Sequence, residues 1–189
     1  MVSGRIRKWG RRAAGLALIV AGCAPSRDKA LVVQPPFAEA RIYDNSLYVR
    51  LTPGTPLREV VLLSVDPLRG GMTLEEARAL AGEPRATRRD AMGTHYSYGV
   101  ERLGVELAHH QDQDSGPVDK WVVTAAPNDN TLAALLSSDL QGLLATVGGV
   151  EELTIHEQRR AALQAFTAYI QGDRLVRLQW YSIEGIPGG

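Results

Sequence analysis

The sequence predicts an α+β fold, a short helix followed by an antiparallel β-meander, with the second half of the chain readable as a tandem copy packed into the same body. Three observations carry this expectation. Thr73, with Glu76 three residues on, opens a run in which Leu74, Ala77, Leu80 and Ala81 share one helical face, and Gly82 and Pro84 close it. Residues 94–98, 103–108 and 120–126, the last holding Trp121, Val122 and Val123, are rich in β-branched and aromatic residues, as strands are. Near the end, Phe166, Ala168 and Ile170 alternate with Thr167 and Tyr169 before Gly172-Asp173 turns the chain into Leu175, Val176, Leu178 and Trp180, a hairpin signature.

Taken from the start, Arg5, Arg7, Lys8, Arg11 and Arg12 stand without an acid among them, and an apolar run over residues 13–24 follows. That is the charged and apolar order of an export signal. The run is shorter than the roughly 20 residues a membrane-spanning helix needs. Val20-Ala21-Gly22-Cys23 ends it, an aliphatic residue and two small ones before the chain's single cysteine. This tetrad resembles the lipobox of bacterial lipoproteins. The resemblance implies cleavage after residue 22, acylation of the Cys23 thiol and of the new terminal amine, and anchoring to a membrane through that lipid. Ala24 rather than aspartate follows, which by the sorting rule of enterobacterial lipoproteins implies the outer membrane, periplasmic side. The alternatives are an ordinary secretory signal with Cys23 left as a thiol, and a twin-arginine route through Arg11-Arg12, whose flanking residues do not fit that signal. A lone cysteine permits no intramolecular disulfide.

Five of the 21 Lys and Arg precede the cut and none of the 21 Asp and Glu does, so the processed chain of 167 residues carries 16 cations against 21 anions, a net charge of −5. With no cationic surplus and scattered arginines, a nucleic-acid partner is not expected. The length suits one ordinary domain.

Residues 23–39, with Pro25, Ser26, mixed charges and Pro35-Pro36, read as a lipidated tether, within which Leu31-Val32-Val33 could pair as an edge strand. The domain proper is expected over residues 40–189. Residues 41–43, 47–51 and 59–65 read as short strands, with Asp44-Asn45 and Pro53-Gly54 as turns. The helix follows, then the meander, whose residues 109–118 read as a polar loop. Leu132, Leu135, Leu136, Leu140, Leu143, Leu144 and Val147 make residues 131–147 a second helix before Gly148-Gly149.

Candidate repeats cover residues 58–126 and 131–183. Thr73 and Gly82 match Asp139 and Gly148 at the same nine-residue interval, and Tyr98, Val105 and Leu107 match Tyr169, Val176 and Leu178 at one offset. The identities are few, and chance accounts for them equally well.

Gly71-Met72-Thr73, Ala77, then Gly82 and Pro84 resemble the signature of the SmpA/OmlA (BamE-like) family of small outer-membrane lipoproteins. The resemblance spans residues 62–108 at most. It implies a helix opening at Gly-Met-Thr, ending near Gly-x-Pro and leading into antiparallel strands, a topology similar to the tandem units of the β-lactamase inhibitor protein. In function it implies a part in outer-membrane protein assembly or envelope maintenance.

Signals for catalysis are sparse: the chain has no Gly-x-Ser-x-Gly elbow, no glycine-rich phosphate loop with its Lys-Ser or Lys-Thr, and no His-Glu-x-x-His. His95 and His156 stand apart from any nucleophile motif. Glu75, Glu76 and Glu83 read as a solvated helix face, and Trp121, Trp180 and Tyr181 as strand packing or an exposed contact patch. His109, His110, Asp112 and Asp114 hold ligand types for zinc, but consecutive residues of an extended chain point to opposite sides, which favours a solvated loop. The expectation is therefore a non-enzymatic, lipid-anchored domain with no cofactor and no resident metal, whose lipidation residue is Cys23 and whose partners are the membrane and another envelope protein. The alternative is a lipoprotein that binds a small ligand or metal.

Overall fold

A computed structural model of the chain describes residues 28–110, 116–126, 129–159 and 162–184. Cys23 and the segment before it lie outside the described residues, as do Asp112 and Asp114.

Three strands come first: β1 (Lys29–Leu31), β2 (Phe37–Tyr43) and β3 (Ser46–Leu51). β1 falls inside the stretch read as tether, at a slightly earlier register than the edge strand considered for residues 31–33. Asp44 takes the left-handed conformation, φ 51°, in the two-residue turn joining β2 to β3. Asparagine and aspartate tolerate that region because their short polar side chains bond locally.

The expected strand over residues 59–65 is mostly absent. Leu57–Glu59 is a 3-10 turn, and only Ser64–Val65 (β4) is extended, paired with Leu68–Arg69 (β5). The reason is where the backbone finds partners. Leu62 N donates to Leu135 O at 2.7 Å and Ser137 N to Val60 O at 2.8 Å, so this apolar run bonds to the loop and helix layer instead of to a sheet edge. Val60 and Val61 are both buried there, so no inside–outside alternation exists to be read.

The helix α1 spans Leu74–Ala81 and begins as its sequence predicts. Thr73 Oγ1 accepts from Glu76 N at 3.1 Å while Glu76 Oε2 accepts from Thr73 N at 2.8 Å. Gly82 follows at φ 80°, a conformation that a residue with a Cβ resists. The meander is β6 (Ala86–Asp90), β7 (Gly93–Val100), β8 (Leu103–His110) and β9 (Lys120–Ala125). The single helix expected over residues 131–147 is divided into a 3-10 turn, Thr131–Leu135, and α2, Ser138–Thr146. Leu136 is extended between them and bridges to Val61, and Ser137 caps α2 by accepting from Leu140 N. The cap is thus two residues ahead of Asp139, and the nine-residue interval shared with Thr73 does not mark equivalent caps. β10 (Glu152–Arg159), β11 (Ala162–Gln171) and β12 (Arg174–Glu184) complete the chain.

The expected α+β arrangement, a helix leading into a simple meander, is overturned by the sheet. Ten strands join in one mixed sheet in the order β1-β2-β3-β10-β11-β12-β9-β8-β7-β6, and the helices have only 8 and 9 residues. The described residues are mostly β. The decisive element is β10, which pairs in parallel with β3, Ser46 opposite Glu152 through Arg50 opposite His156, and antiparallel with β11. It welds the amino-terminal strands to the carboxy-terminal ones. Its Leu153 and Ile155 turn into the core, while Thr154 and His156 alternate with them toward the other side of the sheet.

One face of the sheet carries the core. Leu47, Val49, Leu153, Ile155, Phe166, Trp180, Trp121 and Leu107 meet Leu57, Val60, Leu68, Met72, Leu132 and Leu140 from the helical layer. Each such side chain removed from water stabilises the fold by about 1.5–3 kcal/mol. Trp121 and Trp180 are direct cross-strand neighbours. Gly70 passes so close over them that a Cβ there would stand 3.0 Å from Trp180 Cε3.

Candidate functional site

Strand alternation sends the remaining side chains to the second face of the sheet, over which none of the described helices packs. Across β2 and β3 this face shows Glu39, Arg41, Tyr43, Tyr48 and Arg50. Glu39 holds both arginines, with Oε1 2.8 Å from Arg41 Nε and Oε2 2.8 Å from Arg50. Across β10 to β12 the floor is made of short residues, Thr154, Ala165 and Thr167, sunk between taller neighbours. Arg177 lies over the Tyr169 ring, 5.5 Å from its centroid, and donates to Gln179 Oε1 at 3.0 Å. Tyr181 stands beside them, half-exposed, next to Lys120 of β9.

At the far end of the same face the register of β6, β7 and β8 assembles a charged cluster. His95, 3% exposed, presents Nδ1 to Glu106 Oε1 at 2.9 Å and Nε2 to Asp90 Oδ1 at 3.2 Å. Asp90 Oδ2 meets Arg88 at 2.9 Å, and Asp90 Oδ1 also accepts the Met92 backbone N–H at 2.8 Å. That backbone bond is the main cause holding the Asp90 carboxyl below the usual carboxylate range; burial opposes it, and His95 and Arg88 add to it. Carboxylates only accept, so both ring bonds form together when the imidazole carries two N–H groups. With each nitrogen engaged, the ring serves as a strut between β6 and β8.

The residues singled out from the sequence fall as follows. His95 is the centre of the cluster instead of an isolated histidine, and His156 is exposed beside Arg50 of β3. His109 lies on the core face, 1% exposed, edge-on to Tyr96 with ring centroids 6.0 Å apart, and neither of its nitrogens has a hydrogen-bond partner among the described residues. Residues 109 and 110 belong to β8, not to the polar loop expected there. Among the described residues no group of three or more His, Cys, Asp or Glu is placed to hold a metal ion. Glu76 is used in the helix cap and Glu83 meets Arg78 at 3.1 Å. Trp121 and Trp180 are core, and Tyr181 faces out. Tyr98 and Tyr169, matched by a common offset in sequence, face opposite sides: Tyr98 is buried in the core, and Tyr169 lies under Arg177.

Glu106, Asp90 and Arg88 are the members of the cluster that the sequence did not offer. Their signal lies in register: a two-residue turn at Glu101-Arg102 sets Ser97 opposite Glu106 and brings His95 diagonally beside it. No helix among the described residues is long and apolar enough to cross a membrane. Comparison with protein-family models, with curated proteins and with solved structures finds no match to this chain.

Proposed function

We propose that this chain is a lipid-anchored protein of the bacterial envelope that binds another protein through the open face of its sheet and performs no catalysis of its own. The observation that carries the reading is the composition of that face between β10 and β9. Tyr169, Tyr181, Arg177, Gln179 and Lys120 rise around a floor of Thr154, Ala165 and Thr167. Tyrosine and arginine are enriched at the centres of protein interfaces, since they combine large contact area with directional bonds. Support for the anchor is the charged and apolar order of residues 1–24 and the tetrad ending at Cys23. Support for a binding role over a catalytic one is the absence of nucleophile and phosphate-loop motifs, together with a histidine whose two nitrogens are both taken by carboxylates.

The test uses the whole protein in cells. A photo-crosslinking residue at Gln179 is expected to trap an envelope protein, and the same residue at Leu80, exposed on the helical side, is not. A Cys23→Ser variant should fold but leave the membrane fraction. Equal crosslinking from both positions would remove the face from the proposal, and a serine variant still sedimenting with washed membranes would remove the anchor.

A further inference from the structure

The distance from Cys23 to the sheet is short. Lys29, the first residue of β1, is six residue steps beyond Cys23. Even fully extended, six steps reach about 22 Å. Ten strands at about 4.8 Å spacing make the sheet about 43 Å wide from β1 to β6. A lipid on Cys23 therefore confines the β1 edge to the neighbourhood of the bilayer surface and leaves the β6 edge as the end free to stand away from it.

The exposed apolar side chains are distributed to match. Of the six exposed large hydrophobic side chains among the described residues, three are at the β1 end: Val32, directly after β1, and Tyr43 and Tyr48 on the open face. Ser46 lies opposite Tyr43 and Arg41 opposite Tyr48, so the two tyrosines are diagonal neighbours. Such pairs stand about 7–8 Å apart. The other three are scattered: Leu62 between the 3-10 turn and β4, Leu80 on α1, and Met92 in the turn between β6 and β7. Around the tyrosines, Arg41 and Arg50 share the single carboxylate of Glu39, which leaves the trio with one net positive charge. Tyrosine and arginine, with apolar bodies and polar tips, are the side chains that settle at a membrane–water boundary.

We propose that Val32, Tyr43 and Tyr48 sit in the headgroup layer of the bilayer that holds the lipid on Cys23, so that the β1–β3 end of the open face is a membrane contact while the β10–β9 part remains available to a protein. This rests on the lipid anchor proposed above. The contact fixes the orientation of the sheet, which a lipid on a free leash would not.

The full lipidated protein is reconstituted in vesicles of phosphatidylcholine and phosphatidylglycerol in equal parts, with or without bromine on the acyl chains near the headgroup. Three single variants are compared with the parent: Tyr43→Trp, Tyr48→Trp and, at the opposite end, Met92→Trp. The emission added by the first two is expected to fall about twofold in brominated vesicles, as for rings seated at the headgroup and acyl boundary. The emission added by the third should not change. Flotation of the same vesicles reports the anchor independently. Protein that floats but shows no more quenching at positions 43 and 48 than at 92 overturns the membrane contact and leaves the anchor standing. A blue shift at 43 and 48 that ignores bromine assigns the patch to a second protein molecule and likewise overturns it. Parent protein that fails to float overturns the anchor, and this inference with it.

Discussion

Glu157 on β10 accepts the backbone N–H of Leu57 through Oε2 at 2.8 Å, a buried bond between residues 100 apart in sequence. Leu57 opens a 3-10 turn whose flanking Pro56 supplies no side-chain cap, so the carboxylate takes the place a capping side chain would fill. A charge-assisted bond of this kind is worth more than a neutral one. It ties the layer under the sheet to the strand that unites the two ends of the chain.

Replacing Glu157 with alanine leaves that N–H buried and unpaired, at an expected cost of roughly 1–3 kcal/mol. Glu157→Gln keeps an acceptor of the same length and should recover most of the loss. Urea unfolding at neutral pH measures both. An alanine variant with the parent's midpoint would show that the bond contributes nothing.

His95→Phe keeps a ring on β7 while removing both bonds to Glu106 and Asp90. The expected loss is roughly 1–3 kcal/mol, and it should concentrate at β6, the edge strand whose five residues are all exposed. Amide exchange across Ala86–Asp90 is expected to speed up more than exchange in β11. Uniform acceleration through the whole sheet would mean that the ring fills space and does not clasp the edge.

Asp90 sets the sign of an acid effect. Its carboxyl is held below the usual range, first by the Met92 N–H and then, against burial, by His95 and Arg88. A carboxyl whose value is lower in the folded chain contributes stability above its unfolded value, near pH 4, and loses it as pH falls through the folded value. Asp90→Asn should therefore flatten the acid side of the stability profile. Thermal midpoints followed down the pH scale would decide it; an unchanged acid limb in the variant would exclude Asp90 as a contributor.

The elements legible in the sequence were those with a local cause. The Thr73–Glu76 capping box, the Gly82 terminus and the hairpins flanking Glu101-Arg102 and Gly172-Asp173 depend on residues a few positions apart, and those interactions form wherever the chain runs. What sequence reading missed depends on partners far away. Val60 and Val61 resemble a strand by composition, yet both donate their backbone N–H to Leu57 O in the 3-10 turn, and Val60 O accepts from Ser137 N. The leucines of residues 131–147 keep helical spacing across a break that Leu136 makes by bridging to Val61. β6, with Thr87, Arg88 and Arg89 exposed, has no apolar pattern, because it is an edge strand defined by its hydrogen bonds to β7 alone. The His95 cluster stayed hidden for the same reason: neither acid is near the histidine by helical or strand spacing, and strand register alone unites them.

The parallel pairing of β3 with β10 also orders assembly in time. Ser46 must wait for Glu152, 106 residues further along, before its strand gains a neighbour on that side. The hairpins of β7 with β8 and β11 with β12 close over a few residues and can form as soon as they exist, whereas joining distant strands carries the loop-closure cost of all the chain between them. Until then β1–β3 form a small sheet with an open rim of unpaired backbone groups, the kind of edge on which chains stick to one another. A nascent chain stalled before residue 150 would thus be a template for aggregation. The finished molecule hides that rim in the middle of its sheet.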